Sequence, residues 1–167
     1  MSSDKREKYL GEDNIDSFFM FLKGHFNDEL IPCNVNDMKQ LTEIANGQKL
    51  PEAYVTFMKC AGRGYIMFNG SDYSFKDLER FKGLKEGALE VLEECGFNKK
   101  IGDEQFVFMG HQGYMYWFFN LNDGDNPPVY FFEESYDKSY TQSDFIKFSN
   151  TFSEFLIKKY NGELPRY

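Results

Sequence analysis

Residues 106–132 read FVFMGHQGYMYWFFNLNDGDNPPVYFF, and this stretch decides the fold. It holds three runs rich in aromatic and β-branched residues, which favour strands: Phe106 to Met109, Tyr114 to Leu121 and Val129 to Phe132. The connections between the runs are too short for a crossover helix, so they predict antiparallel hairpins and a three-strand meander. The middle run is apolar or aromatic on both faces. This is typical of a central strand covered on both sides, or of one whose tyrosine face is only partly covered.

The sequence on either side of the meander shows helical periodicity, with apolar residues at steps of three and four. A short strand is predicted over residues 65–68, before the turn signal Asn69-Gly70-Ser71. There is no alternation of strand and helix, so we predict an α+β fold, with an antiparallel or mixed sheet packed by about five helices. These helices are residues 15–30, a segment capped by Asn36 or Asp37 and ended by Gly47, a segment from Leu50-Pro51-Glu52 to Gly62, residues 84–95 and residues 150–160.

Length and composition indicate one aromatic-rich domain. The chain has 167 residues, of which 19% are Phe, Tyr or Trp, and it is long enough to bury a core without disulfides or metal. Cys33, Cys60 and Cys95 are odd in number and form no CxxC pair, which predicts neither a disulfide framework nor a zinc site. The first 16 residues lack the apolar run of a signal peptide, and no segment is long enough to span a bilayer. We therefore expect a soluble, cytoplasmic protein that does not act on membranes.

The negative charge of the chain is concentrated in one segment. The formal net charge is −8, and between Lys100 and Lys138 there are seven acids and no Lys or Arg. The rest of the chain is nearly neutral, with 20 acids and 19 bases. Contacts to phosphates need Lys and Arg, so this segment is not predicted to bind nucleic acid.

No residue pattern predicts catalysis, a metal or a cofactor. His25 lies in a helical pattern and His111 in a predicted hairpin turn, and neither belongs to a hydrolase motif. The Asp123-Gly124-Asp125 segment resembles part of a calcium loop, but it lacks the later Gly and the closing Glu. Paired carboxylates formed by Glu133-Glu134 and the two aspartates across a hairpin remain open from the sequence, although a solvated rim is the commoner role.

Three short motifs, in the right order, resemble the SUKH superfamily, which includes bacterial immunity proteins and yeast cell-wall-synthesis regulators. Leu50-Pro51-Glu52-Ala53-Tyr54-Val55-Thr56-Phe57 looks like its Leu-Pro-x-x-Tyr-x-x-Phe helix. Gly113-Tyr114-Met115-Tyr116, leading through Asp125 to Pro127-Pro128-Val129-Tyr130, is similar to its central meander. Phe152-Ser153-Glu154-Phe155-Leu156 is similar to its last helix.

The resemblance implies an α+β fold without enzymatic activity, here a single SUKH-like domain over residues 15–167 after a loose N-terminal segment over residues 1–14. In bacteria it implies an immunity protein that binds and neutralises a toxin domain, often a nuclease. The yeast branch implies a regulatory scaffold, and this short chain is more similar to the bacterial kind. One departure concerns the subfamily: Cys60-Ala61-Gly62 stands where members often carry Asn-Gly.

The predicted function is therefore toxin neutralisation by a monomer or weak homodimer, and the alternative is a regulatory module without a toxin partner. A basic nuclease would meet the acidic segment through charge complementarity, with tyrosines as contact anchors. The competing interpretation is that the acids only keep the sheet in solution and that the tyrosines belong to the core. The predicted partner-binding residues are the acids Asp123, Asp125, Glu133, Glu134 and Asp137 and the tyrosines Tyr114, Tyr116 and Tyr130.

Overall fold

The computed structural model describes residues 6–65, 68, 71–134 and 145–163, and it confirms the α+β class. Short 3-10 turns occur over Asn27–Glu29 and Phe75–Asp77. Within this part of the chain there are five helices of nine or more residues and one shorter helix, α4. The elements are α1 Ile15–Phe26, α2 Val35–Ile44, α3 Glu52–Ala61, β1 Ser71–Asp72, α4 Leu78–Lys82, α5 Leu84–Glu94, β2 Gln105–His111, β3 Met115–Asn120, β4 Val129–Glu133, β5 Ile146–Ser149 and α6 Phe152–Tyr160.

The five strands form one antiparallel sheet in the order β1-β2-β3-β4-β5. Strands β2, β3 and β4 are the predicted meander, with Phe118 of β3 opposite Val107 on one side and Tyr130 on the other. Strands β1 and β5, of two and four residues, extend it at its edges. They are too short to show a clear alternation in the sequence, so they were not predicted.

Strand β3 is covered on both faces, which decides between the two arrangements left open by the sequence. On one face, Phe119 contacts Tyr54 of α3 at 5.2 Å and Phe152 of α6 at 5.9 Å between ring centroids. On the other face, α5 passes so close that a Cβ at Gly87 would lie 2.5 Å from the hydroxyl of Tyr116. Both faces therefore exclude water, and the aromatic rings of β3 form the middle of the core.

Local signals at the helix ends explain most of the boundaries. Asn14 caps α1, and its side chain accepts from the N–H of Ser17. The predicted cap of α2 at Asn36 or Asp37 is wrong, because Asn34 caps this helix. The Asn34 side chain accepts from the N–H of Asp37 and the Asp37 carboxylate accepts from the N–H of Asn34, which completes a capping box.

Of three further predicted boundaries, two differ from the structure and one agrees with it. The helix predicted over residues 15–30 ends at Phe26. The strand predicted over residues 65–68 is wrong at its described ends, because Tyr65 is irregular and Phe68 is in a 3-10 turn; residues 66–67 lie outside the described residues. Helix α3 ends before Gly62, as predicted.

The segment before α1 is attached to the rest of the domain through Tyr9. Its ring is 7% exposed and lies 5.1 Å from the ring of Phe18. Its backbone N–H donates to Asn161, whose side-chain amide donates back to the carbonyl of Tyr9. The boundary at residue 14 stays a prediction, but Tyr9 itself belongs to the core.

An ion pair with a buried carboxylate and a partly exposed guanidinium connects the start of α2 to the loop after α3. The Arg63 guanidinium donates to both carboxylate oxygens of Asp37, from Nε at 2.6 Å and from Nη2 at 2.8 Å. The carboxylate of Asp37 is almost fully buried, whereas the Arg63 side chain is 36% exposed. The Arg63 hydrogen bonds hold the pKa of Asp37 below its ordinary value, against the opposing effect of burial.

We expect Arg63→Ala to lower the free energy of unfolding by about 2–4 kcal/mol, because it leaves a buried carboxylate without its partner. The pair stabilises the fold above the unfolded pKa of Asp, about 3.9, and this contribution is lost as the pH falls towards the lower folded pKa. The difference between the wild type and the variant should therefore shrink between pH 5 and pH 3 in urea unfolding.

Arg80→Ala is the matched control. Arg80 pairs with Asp72 at 3.1 Å, but its side chain is 66% exposed, so the expected cost is at most about 1 kcal/mol. Equal losses for the two variants would show that the Asp37–Arg63 pair contributes no more than a surface pair.

We expect Tyr54→Phe to be as stable as the wild type within about 0.5 kcal/mol, because the buried hydroxyl of Tyr54 has no hydrogen-bond partner among the described residues to lose. Tyr160→Phe is the control: the Tyr160 hydroxyl donates to the carbonyl of Glu7 at 2.8 Å, and its removal should cost about 1 kcal/mol. Urea unfolding at pH 7 measures both. A larger loss for Tyr54→Phe than for Tyr160→Phe would contradict this account of the core.

Candidate functional site

The structure separates the predicted acids into two groups at opposite ends of the sheet. Asp123 and Asp125 lie in the turn between β3 and β4. Glu133 lies at the far end of β4, opposite Met115, and the N–H of Glu134 donates to the carbonyl of Tyr114. Five residues of strand span about 15 Å, so the two groups do not form one surface. Asp137 lies outside the described residues.

Two acids that were not among the predicted site residues join the turn at one end. The pairing of β2 with β3 sets Gln105 opposite Asn120, and the N–H of Leu121 donates to the carbonyl of Glu104 at 2.7 Å. Asp103 and Glu104 thus lie beside the β3–β4 turn. We name this group, Asp103, Glu104, Asp123 and Asp125, the acidic end. The predicted hairpin register would have revealed it, because both residues lie within three positions of the start of the first strand run at Phe106.

Lysines neutralise half of the acidic end. Lys49 contacts Asp125 at 2.9 Å and Lys85 contacts Asp103 at 3.5 Å, with largely exposed aspartates in both cases. No lysine or arginine of the described chain forms an ion pair with the other two carboxylates, Glu104 and Asp123. The Asp123 carboxylate accepts from the side-chain amide of Asn120, at 2.8 Å. Among the residues that the structure describes, these two exposed negative charges have no countercharge.

The backbone of the same turn has a structural role. The carbonyl of Asp125 accepts from the N–H of Ala53 at 2.9 Å, in the first turn of α3, where Pro51 provides no side-chain cap. Asn126 accepts from the N–H of Ser153 at 3.0 Å and donates to its hydroxyl at 2.8 Å, in the first turn of α6. The turn thus satisfies backbone donors at two helix N-termini, which also favour nearby negative charge.

The other end of the sheet combines Glu133 and Glu134 with a serine–histidine contact. The Oγ of Ser71 lies 3.1 Å from the Nδ1 of His111, and the ring of Tyr114 lies 6.0 Å from that of His111. His111 is the last residue of β2, whereas the sequence predicted it in the turn. Among the described residues, no carboxylate hydrogen bonds with this imidazole, so the orienting group of a nucleophilic triad is missing there.

Of the three tyrosines predicted as contact anchors, Tyr116 is one that the structure places in the core instead. Its side chain is only 6% exposed and stacks on Phe132 at 5.8 Å, and burial raises the pKa of its hydroxyl. It is part of the core because α5 covers this face of β3. Tyr114 and Tyr130 are partly buried, and Tyr130 stacks on Phe118 at 5.6 Å. These two tyrosines keep some surface for a partner.

Geometry next to the acidic end does not favour a small ligand. The cleft beside Asp103, between α2, α5 and β2, has a volume of about 160 Å³, whereas ligand sites typically enclose about 300–1,000 Å³. Within the described ranges, no group of three or more His, Cys, Asp or Glu residues could hold a metal ion. None of the helices in that part of the chain is long and apolar enough to cross a membrane.

A protein-family model described as SMI1-KNR4 cell-wall matches residues 39–156, more than two thirds of the chain. The matched range contains α3, the meander and all four carboxylates of the acidic end. No curated protein matches this chain.

We expect Asn126→Ala to lower the free energy of unfolding by about 1–2 kcal/mol, because it leaves the buried N–H and hydroxyl of Ser153 with fewer partners. Asn122→Ala is the control within the same turn: its side chain is exposed, and the expected change is below about 0.5 kcal/mol. Thermal unfolding of the two variants provides the comparison. If both variants were as stable as the wild type, the turn would not depend on its contact with α6.

Proposed function

The chain belongs to the SUKH superfamily, in its SMI1-KNR4 family, and from this premise we propose that it is a non-enzymatic immunity protein. In this proposal it binds a cognate toxin domain in the cytoplasm and neutralises it. The toxin is a basic protein, such as a nuclease, whose own substrate is polyanionic. The observation that supports this role is the acidic end, where carboxylates from two separate chain segments lie together at one end of the sheet.

The acidic end suits recognition of a basic groove because its charges are exposed and its backbone is held in place. Glu104 and Asp123 present carboxylates that form no ion pair within the described part of the chain. The hydrogen bonds from Ala53 and Ser153 fix the turn on which Asp123 and Asp125 stand. Charges held in this way steer a basic partner during encounter and speed association by a factor of about 10–1,000 over a neutral pair.

Lys49 and Lys85 contribute to specificity in this proposal. Both lie beside carboxylates of the acidic end, at 2.9 Å from Asp125 and 3.5 Å from Asp103. A partner that offers only positive charge would meet repulsion at these two points. A partner that places its own acids opposite the two lysines would be accepted, so the charge pattern selects among basic proteins.

The second candidate is a regulatory module that binds cellular proteins without opposing a toxin. The observation that favours it is the cell-wall description of the matching family. A growth-rescue assay distinguishes the two candidate functions. An immunity protein restores growth to cells that express the toxin domain encoded beside it, and a regulatory module does not.

We expect Glu104→Lys/Asp123→Lys to slow association with that toxin domain by about tenfold or more at low salt, and to weaken the salt dependence of the rate. The reason is that two negative charges at the acidic end become positive, which changes the net charge there by four units. Stopped-flow or surface-plasmon measurements at two ionic strengths measure the rate. Growth rescue by the same variant should become weaker.

Glu133→Lys/Glu134→Lys is the matched control, with the same charge change at the opposite end of the same sheet. It should leave the association rate within about twofold of the wild type, once far-UV circular dichroism shows that both variants are folded. If both variants slowed association equally, the net charge and not the acidic end would direct binding. If only the control variant did, the binding surface would be at the other end.

A further inference from the structure

The N-terminal segment is attached to both ends of α6. At the end of this helix, the side chain of Asn161 bonds to the backbone N–H and carbonyl of Tyr9. At its start, the carboxylate of Asp13 accepts from the hydroxyl of Thr151 at 2.6 Å and from the hydroxyl of Ser153. The sequence predicts a loose segment here, but these hydrogen bonds connect it to the helix that covers one face of the sheet.

Ser153 transmits the contact from Asp13 to the turn between β3 and β4. Its side chain is fully buried, so its hydroxyl needs partners inside the protein. The hydroxyl donates to the carboxylate of Asp13 and accepts from the side-chain N–H of Asn126 at 2.8 Å. A hydroxyl has a single proton, so donation to Asp13 leaves its lone pairs to receive the Asn126 amide. Hydrogen bonds therefore run in one direction, from Asn126 through Ser153 to Asp13.

This chain of hydrogen bonds ends in the turn that carries two carboxylates of the acidic end, Asp123 and Asp125. Asn126 directly follows Asp125, whose carbonyl accepts from the N–H of Ala53 at 2.9 Å. A change at Asp13 can therefore reach the start of α3 through the turn, although no described hydrogen bond joins Asp13 to that helix. Coupling of this kind travels through contiguous hydrogen bonds and packed backbone.

The charge of Asp13 makes these hydrogen bonds strong. Bonds from a hydroxyl to an ionised carboxylate are about twice as strong as bonds between neutral groups. Asp13 also lies at the N-terminus of α6, where negative charge is favoured. A side chain without an acceptor at this position would leave the buried hydroxyl of Ser153 without its partner.

The neighbouring acid has no such role. The carboxylate of Glu12 forms no hydrogen bond or ion pair with the described residues, and only its backbone carbonyl accepts, from the hydroxyl of Tyr9 at 3.0 Å. Glu12 and Asp13 thus carry the same charge on adjacent exposed residues, but only Asp13 is bonded to α6.

We propose that Asp13 is a positioning residue of the acidic end, which holds the β3–β4 turn in place through the hydroxyl of Ser153. The consequence for binding rests on the proposed function, whereas the effect on the turn does not. A turn held in this way presents Asp123 in one arrangement. The partner then does not have to order the turn during binding, which lowers the entropic cost of the complex.

Amide hydrogen exchange of the Asp13→Ala variant, measured by NMR without any partner, tests the effect on the turn. We expect the N–H of Ser153 to exchange at least about tenfold faster than in the wild type, because its acceptor in the turn is no longer held. The N–H of Ala53, whose acceptor is in the same turn, should exchange at least about threefold faster. The N–H of Glu134, at the other end of the sheet, should be unchanged.

Glu12→Ala is the matched control, because it removes the same charge from the adjacent residue. It should leave the exchange of the Ser153 and Ala53 amides within about twofold of the wild type. Equal acceleration by both variants would show that charge and not the hydrogen bond matters. Equal acceleration of the Glu134 amide in Asp13→Ala would show a general loss of stability. Either result would overturn the proposal, and so would an unchanged Ala53 amide in that variant, because Asp13 would then act on α6 alone.

A double-mutant cycle with Ser153→Ala tests the path of the coupling. Ser153→Ala alone should accelerate exchange of the Ala53 N–H, and the addition of Asp13→Ala should change this rate by less than about twofold. If the two effects multiplied instead, Asp13 would act by a route that does not include the Ser153 hydroxyl, which contradicts the proposal.

Binding to the toxin domain encoded beside this chain tests the consequence for recognition. Asp13→Ala and Glu12→Ala remove the same charge, so their association rates should agree within about twofold. Only Asp13→Ala should dissociate faster, by at least about threefold, because its complex must order the turn. Equal dissociation rates would overturn the role in binding. If the wild type did not bind, the proposed function and the role in binding would both fall, and amide exchange would still decide whether Asp13 holds the turn.

Discussion

The burial of β3 on both faces is the constraint on which the rest of this structure depends. A strand that carries Tyr116, Trp117, Phe118 and Phe119 in succession has no face to offer to water, so layers must cover it on each side. Helices α3 and α6 cover the Phe119 face, and α5 covers the Tyr116 face. The same requirement places Tyr116 in the core and removes it from the surface available to a partner.

The sequence predicts those features that depend on neighbouring residues. The meander and α3 with its stop at Gly62 follow from alternation, ring content and local caps, and they are confirmed. What it misses depends on contacts between distant segments. Asn34 caps α2 in place of Asn36 or Asp37, because Asp37 is needed at the third helical position to close the capping box and to bind Arg63. Strands β1 and β5 exist because neighbouring strands offer unpaired edges.

The candidate site shows the same division between local and distant information. Charge counting locates the acids in one segment of the chain, but strand pairing decides which of them meet. Strand pairing places Glu104 beside the turn that holds Asp123, and it leaves Glu133 about one strand length away. A hairpin places residues close in space when they are equally distant from its turn, so a continuous acidic segment becomes two separate groups. Only the group at the start of β2 gains further acids, because Asp103 and Glu104 lie there beside the β3–β4 turn.

The β3–β4 turn uses different atoms for folding and for the recognition that we propose. Its contacts with α3 and α6 come from the carbonyl of Asp125 and the amide of Asn126, whereas the hydrogen bond that the described chain gives the Asp123 carboxylate comes from Asn120, within the same hairpin. Reversing an exposed carboxylate therefore changes the field that a partner meets without removing a bond to either helix. Because electrostatic steering depends on where charges are held, a turn whose backbone is fixed by two helix N-termini would present a constant charge pattern to the partner that we propose. Such a turn allows the partner specificity to change while the fold remains the same.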